Sequence, residues 1–148
     1  MNQIIIKEEN FEKARRLIKE NRGKKIIFIS EDDELNRKIL EKEDIEILLL
    51  NQKGRKDFQK QRNSGFNHVL AKLAKKKKII VGINLDEIVN SNEKEKSLIL
   101  ARVRQNIKIC NKNKLKMKFI SENNNKNIPD LKALGLILGM PTWMTKEL

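Results

Sequence analysis

The residues of this 148-residue chain best equipped for chemistry are its cations, and the chemistry they suit is the capture of phosphates. Arg55, Lys56, Lys60 and Arg62 occupy a loop-like approach to Asn63-Ser64-Gly65 and an apolar helix pattern beyond it. Ser64 is placed to cap that helix, with Gly65 easing the turn. Backbone N–H groups at such a start, flanked by Lys56, Lys60 and Arg62, make an anion site. Asn67 and His68, in the expected first turn, can reach sugar or base edges. Farther along, Arg102, Arg104 and Lys108 supply a second basic surface.

Total charge alone is a weak guide. The chain carries 33 Lys and Arg against 20 Asp and Glu, a formal +13, but its excess of Lys, Asn and Ile is what AT-rich coding produces by itself. Position says more. Lys53–Lys78 holds ten basic residues and one acid (Asp57), and Arg102–Lys118 holds seven and none, while the remainder is mildly negative. Two such clusters read as two surfaces meant for phosphates. Part of the first is blander: Lys75–Lys78 ends a helix, where cations suit the macrodipole. With five Phe, one Trp and no Tyr, a base-stacking platform is not expected. Backbone and shape recognition of folded RNA fits the composition better.

Catalytic signals are weak. There is no Walker loop, Gly-x-Gly-x-x-Gly fingerprint or Gly-x-Ser-x-Gly elbow. Ser64 and His68, four residues apart on one helix start, do not make a triad. Asp86, Glu87 and Glu122 follow strand ends, where an α/β enzyme can hold Mg²⁺, but they read more simply as helix-start and loop acids. One His and one Cys exclude a His- or Cys-rich metal site in a single chain. Cys110 lies on an apolar helix face as a small core residue, and a lone Cys excludes a disulfide framework and suits a reducing, intracellular, cytoplasmic setting. No apolar run approaches the ~20 residues of a membrane span, and Met1-Asn2-Gln3-Ile4 does not begin a signal peptide. Trp143 reads as a C-terminal plug.

Short β-branched blocks alternate with helical patterns. Strands are expected at Ile4–Ile6, Ile26–Ser30, Ile45–Leu50, Ile79–Asn84 and Met117–Ser121. Helices are expected near Phe11–Asn21, Glu34–Lys42, Phe66–Lys77, Glu93–Asn113 and Pro129–Leu138, with Asn123–Asn127 a loop. In Phe66–Lys77 the positions Phe66, Val69, Leu70, Leu73 and Ala74 form one stripe expected to be buried. Nearly continuous apolar strands between helices imply an α/β parallel sheet. Five βα units fall short of the eight in a full barrel. The expectation is a single domain over residues 1–148, either a shortened or incomplete TIM-like barrel with outer helices or an open sheet.

The stretch Lys56-Asp57-Phe58 through Arg62-Asn63-Ser64-Gly65-Phe66-Asn67-His68-Val69-Leu70-Ala71-Lys72-Leu73-Ala74 resembles the signature of protein component 3 of archaeal ribonuclease P, related to the eukaryotic thirty-kilodalton subunit. That family shows Arg-x-Ser-Gly-Leu-Asn before an apolar helix, and Phe66 stands here for the Leu. Asn36-Arg37 and Leu40-Glu41, Ile80–Val89, Arg104-Gln105-Asn106-Ile107 with Cys110, and Asp130-Leu131 with Leu138-Gly139-Met140 agree in order, so the resemblance covers about residues 33–148. The resemblance implies a barrel related to the polymerase-and-histidinol-phosphatase superfamily without its metal-binding histidines. It also implies a noncatalytic role in a particle whose RNA subunit uses Mg²⁺ to cleave the 5′ end of precursor tRNA. The implied partners are ribonuclease P RNA, precursor tRNA indirectly, and the small ferredoxin-like protein subunit, with no membrane and no cofactor held by the protein itself. Family members usually exceed 200 residues, so the resemblance implies that one or more early βα units are shortened or missing here. The competing readings are a general basic binder of structured RNA, for example on the ribosome, a metal-dependent barrel phosphoesterase, which would need clustered His and Asp ligands, and a degenerate, truncated copy that keeps the fold without assembling.

Overall fold

The computed structural model describes residues 2–124 and 126–148; Met1 and Asn125, from the N-terminal stretch and the asparagine tract above, lie outside the described residues. The described residues form five strands, β1 (Gln3–Lys7), β2 (Lys25–Ile29), β3 (Ile47–Leu50), β4 (Ile80–Asn84) and β5 (Met117–Ile120), in the order β1-β2-β3-β4-β5. All four pairings are parallel. Among the described residues seven helices intervene or follow: α1 (Phe11–Glu20), α2 (Asp33–Lys42), α3 (His68–Lys77), α4 (Leu85–Asn90), α5 (Glu93–Lys112), α6 (Ile128–Leu138) and α7 (Thr142–Thr145).

The strand sequences explain the layering, because side chains alternate across a sheet. In β2, Ile26 and Phe28 point to the helices, and Ile27 and Ile29 to the opposite face. In β3, Leu48 and Leu50 face the helices, and Ile47 and Leu49 face away. The helical side carries the large core, which includes Ile39, Leu40, Ala71, Val103, Ile107 and Cys110. A smaller cluster from all five strands, including Ile5, Ile27, Leu49, Ile80 and Ile120, fills the other face. No backbone ladder joins β1 to β5. Past the sheet's C-terminal end, however, Lys7 Nζ donates to Glu122 Oε2 at 3.0 Å. The architecture is an incomplete TIM-like barrel: five consecutive parallel strands, helices outside, edges open.

Most expected elements stand within two residues of their observed limits. One helix start moved, with consequences. Asn67, not Ser64, caps α3, its side chain accepting from the Leu70 N–H. Phe66 therefore belongs to the approach turn and cannot set the phase of the stripe. The buried positions are Leu70, Ala71 and Ala74, and Val69 is 69% exposed. The expected Glu93–Asn113 helix is preceded by the short α4, and the C-terminal α7 was not foreseen. Gly139 ends α6 with φ +104°, as its position past Leu138 implies. Burial pushes the Cys110 thiol up to about 12, so it stays a neutral core group. Trp143 is partly buried and donates to Asn111 Oδ1.

Gly82, mid-strand on β4, leaves room on the inner face: a Cβ there would meet Ile47 Cγ2 and Leu49 Cδ1, each at 3.0 Å. Gly82→Val is expected to overpack this face and to destabilise the fold by about 1–3 kcal/mol in chemical denaturation.

Candidate nucleic-acid interface

Between β3 and α3 the chain runs from Asn51 to Asn67 without a helix or strand. Loops this long in compact domains are usually functional, and this one holds most of the first basic cluster. It is held open and in place by polar side chains from three helices. The central one is Arg102 of α5, only 3% exposed. Its guanidinium donates to Asp57 Oδ1 at 3.0 Å, to the Gln52 carbonyl at 2.8 Å and to the Arg55 carbonyl at 2.7 Å. Asp57 in turn accepts from Arg62 Nη1 and from the Asn63 N–H, both at 3.0 Å. The Arg102 guanidinium, helped by the Asn63 N–H and Arg62, holds the Asp57 carboxyl down to about 2.

Neighbouring side chains fasten the rest. Arg55 forks onto both oxygens of Asp33 at the start of α2, at 2.9 and 3.0 Å, and donates to the Asn51 carbonyl. Gln105 pairs reciprocally with the Arg62 backbone, accepting its N–H at 3.2 Å and donating to its carbonyl at 2.8 Å. Gln52 and Asn106 both donate to the buried Ser64 carbonyl. Glu87 of α4 accepts the Gln52 and Lys53 N–H groups; burial pushes its carboxyl up while these donors pull the other way. Gly65 sits at φ +74°, where a Cβ would meet Arg55 Nη2 at 2.5 Å. Only glycine combines that backbone angle with that approach.

The two basic segments are thus brought together: Asp57 bridges Arg62 to Arg102, and Gln105 joins the Arg62 backbone to the turn of α5 that carries Arg104. The eleven cationic and polar residues singled out by sequence divide in two. Lys56, Lys60, Arg62, Asn67, His68, Arg104 and Lys108 are exposed, and Asn63 is partly so. Three were misplaced. Arg102 and Ser64 are buried and Arg55 nearly so, their polar atoms turned inward to the loop's own backbone and acids. The crowding of cations in Arg102–Lys118 put Arg102 among the surface residues, because charge clustering cannot reveal a buried acceptor set. Gln52, Asp57, Gln105 and Asn106 carried no signal in the sequence beyond lying in or beside the quoted blocks. At His68 the Asn113 amide nitrogen, also donating to the Ile109 carbonyl, faces Nδ1 at 3.1 Å.

The strand-end acids Asp86 and Glu122 are tied into the chain's own hydrogen bonds. Burial works against Asp86, but hydrogen bonds from Ser121, Asn124 and the Glu122 N–H hold its carboxyl below the usual range. Among the described residues no three His, Cys, Asp or Glu gather in a metal-holding group. No helix among them is long and apolar enough to cross a membrane. The lysine run forms the last turn of α3, as expected, and from it Lys75 and Lys77 reach across to donate to the Lys114 and Glu43 carbonyls of neighbouring segments.

No protein-family model matches the chain. It is 30% identical over 149 aligned positions to ribonuclease P protein component 3 of Methanocaldococcus jannaschii, covering 97% of this chain and 62% of that protein. A protein of the same name from Methanococcus maripaludis strain C7 is 27% identical over 111 positions, 74% of this chain and 45% of the relative. The chain therefore spans at most about three fifths of the length of these relatives. A chain in the cryo-EM structure of archaeal ribonuclease P with mature tRNA superposes with a TM-score of 0.82 at 29% identity, covering 97% of this chain and 62% of that one. These matches bear out the recognised signature and the incomplete barrel.

Arg102→Met, which keeps the bulk and removes the donors, is expected to cost about 3–5 kcal/mol in denaturant unfolding. It should also open the 51–67 loop to trypsin, whereas Arg104→Ala should do neither. A second expectation concerns acid. Because the folded Asp57 carboxyl lies below its ordinary 3.8, at about 2, its contribution is complete above about pH 4 and lost as pH falls through about 2. Hydrogen exchange at the Asn63 amide should accelerate across that window in the native protein, and Asp57→Asn should abolish the step.

Proposed function

Because the chain is a homologue, over nearly all of its length, of proteins named ribonuclease P protein component 3, we propose that it serves as a noncatalytic RNA-binding subunit of ribonuclease P, the ribonucleoprotein that removes the 5′ leader of precursor tRNA. Residues 1–148 act as one domain in this reading. The observation that carries it is the pinned basic loop: two charged segments, remote in sequence, share one framework through Asp57 and Gln105. Lys56, Lys60, Arg62, Asn63, Asn67, His68, Arg104 and Lys108 are the proposed RNA contacts. Arg55, Ser64 and Arg102 act through them as positioning residues.

Such an array neutralises backbone phosphates and releases counterions, which supplies affinity without reading bases. The cleavage chemistry stays with the RNA subunit and its Mg²⁺; the protein holds no cofactor. Its partners in this proposal are the ribonuclease P RNA, precursor tRNA through that RNA, and the small ferredoxin-like subunit, in the cytoplasm.

Two measurements test this. Reconstitution with ribonuclease P RNA and the other subunits should cleave precursor tRNA faster, or at lower Mg²⁺, when this protein is included; no effect of its omission defeats the proposal. Arg62→Ala should weaken binding to that RNA and lower the slope of log affinity against log salt by about 1. Equal affinity for unrelated structured RNAs would instead identify a general RNA binder.

A further inference from the structure

Phe58 is 57% exposed, yet it is not on a loose tip. Its neighbour Asp57 is fixed by two guanidinium groups and the Asn63 N–H, so the backbone that carries the ring is anchored. Phe58 and the equally unshielded Val69 line one groove of about 650 Å³, whose polar wall includes Arg62, Asn63 and His68, with Arg37 contributed by α2. Single exposed apolar residues need no explanation. Two in one concavity, facing cations and held on a rigid frame, describe a ligand with a flat apolar face and negative charge.

We propose that this groove receives one unstacked RNA base, with Phe58 as its stacking surface and Arg62 at the adjoining phosphate. The inference rests on the RNA-binding reading above and adds the kind of nucleotide bound: extruded from the fold, not paired in a duplex. Scarce aromatics exclude a platform for a run of bases, but one ring serves one base, and sequence-specific recognition of RNA favours splayed, unstacked nucleotides. The charge of the surroundings favours a nucleotide over an aromatic side chain from another protein. Beside Phe58, Arg62 and Arg102 share the single carboxylate of Asp57, which leaves one positive charge in excess at that end of the groove, while Arg37 on the far wall is paired with Glu41. Asp33, which also lines the groove, is matched by Arg55. Glu34 is the remaining acid in the lining, on α2 beside Arg37.

The test uses the full chain with transcribed ribonuclease P RNA as probe, titrated across a range of KCl, for Phe58→Ala, Phe58→Leu, Phe58→Trp and Arg62→Ala. Stacking is not ionic. Phe58→Ala and Phe58→Leu should therefore weaken binding by about tenfold with an unchanged salt slope, and Phe58→Trp should restore it. Arg62→Ala should reduce the slope. A short single-stranded RNA containing 2-aminopurine should lose fluorescence on binding the native protein and keep it with Phe58→Ala. Thermal melting of each variant at the native temperature confirms that the fold is intact. Native affinity of Phe58→Ala and Phe58→Leu, alongside a weakened Arg62→Ala, overturns the stacking role and leaves the RNA-binding reading standing. No effect of any variant overturns both. Unchanged RNA affinity with lost capture of the small ferredoxin-like subunit assigns the groove to a protein and also overturns the proposal.

Discussion

A single buried guanidinium organises the basic face of this protein. Removing a charge from water is costly, and the cost is offset only where partners meet the group in good geometry. Arg102 meets that condition with one carboxylate and two carbonyls, all between 2.7 and 3.0 Å. Its planar fork spreads donors over three directions, which a lysine ammonium on the same stem does not reproduce. The carbonyls belong to Gln52 and Arg55, near the loop's beginning, and the carboxylate is two residues on. The loop's path out of β3 is therefore set from α5.

That arrangement solves an electrostatic problem. Lysines and arginines gathered on one surface repel each other, and an unanchored loop would swing them apart. Here Asp57 removes part of the repulsion between Arg62 and Arg102, and Asp33 does the same for Arg55. The residues of the signature divide accordingly. Ser64, Gly65, Phe66 and Asn67 build the approach to α3, through a buried carbonyl, a positive φ, a core side chain and a helix cap. Arg62 and His68 remain turned outward.

The alternation of apolar strands with amphipathic helices made the architecture legible, since parallel strands covered on both faces have no polar side to hide it. Ile27 and Leu49 read as core in either layer and are core. Helix phase was less legible at α3, because Phe66 mimicked the first position of a helix that begins two residues later and whose buried stripe begins at Leu70. The site was legible as a region, through the crowding of cations. Which cations face outward was not, because a buried arginine differs from an exposed one only by acceptors that arrive from distant positions: Gln52 and Arg102 stand 50 residues apart.

That separation also sets an order of events during synthesis. Each strand pairs with the one made just before it, so the sheet can extend as the chain emerges from the ribosome. The basic loop cannot mature on that schedule. Its first residues are made some fifty positions ahead of Arg102, Gln105 and Asn106, and until α5 is translated only Asp33 of α2 and Glu87 of α4 are there to fasten their dense positive charge. The pinned form of the loop is the last part of this half of the molecule to take shape, and a nascent chain stalled before α5 would display the charge without the geometry.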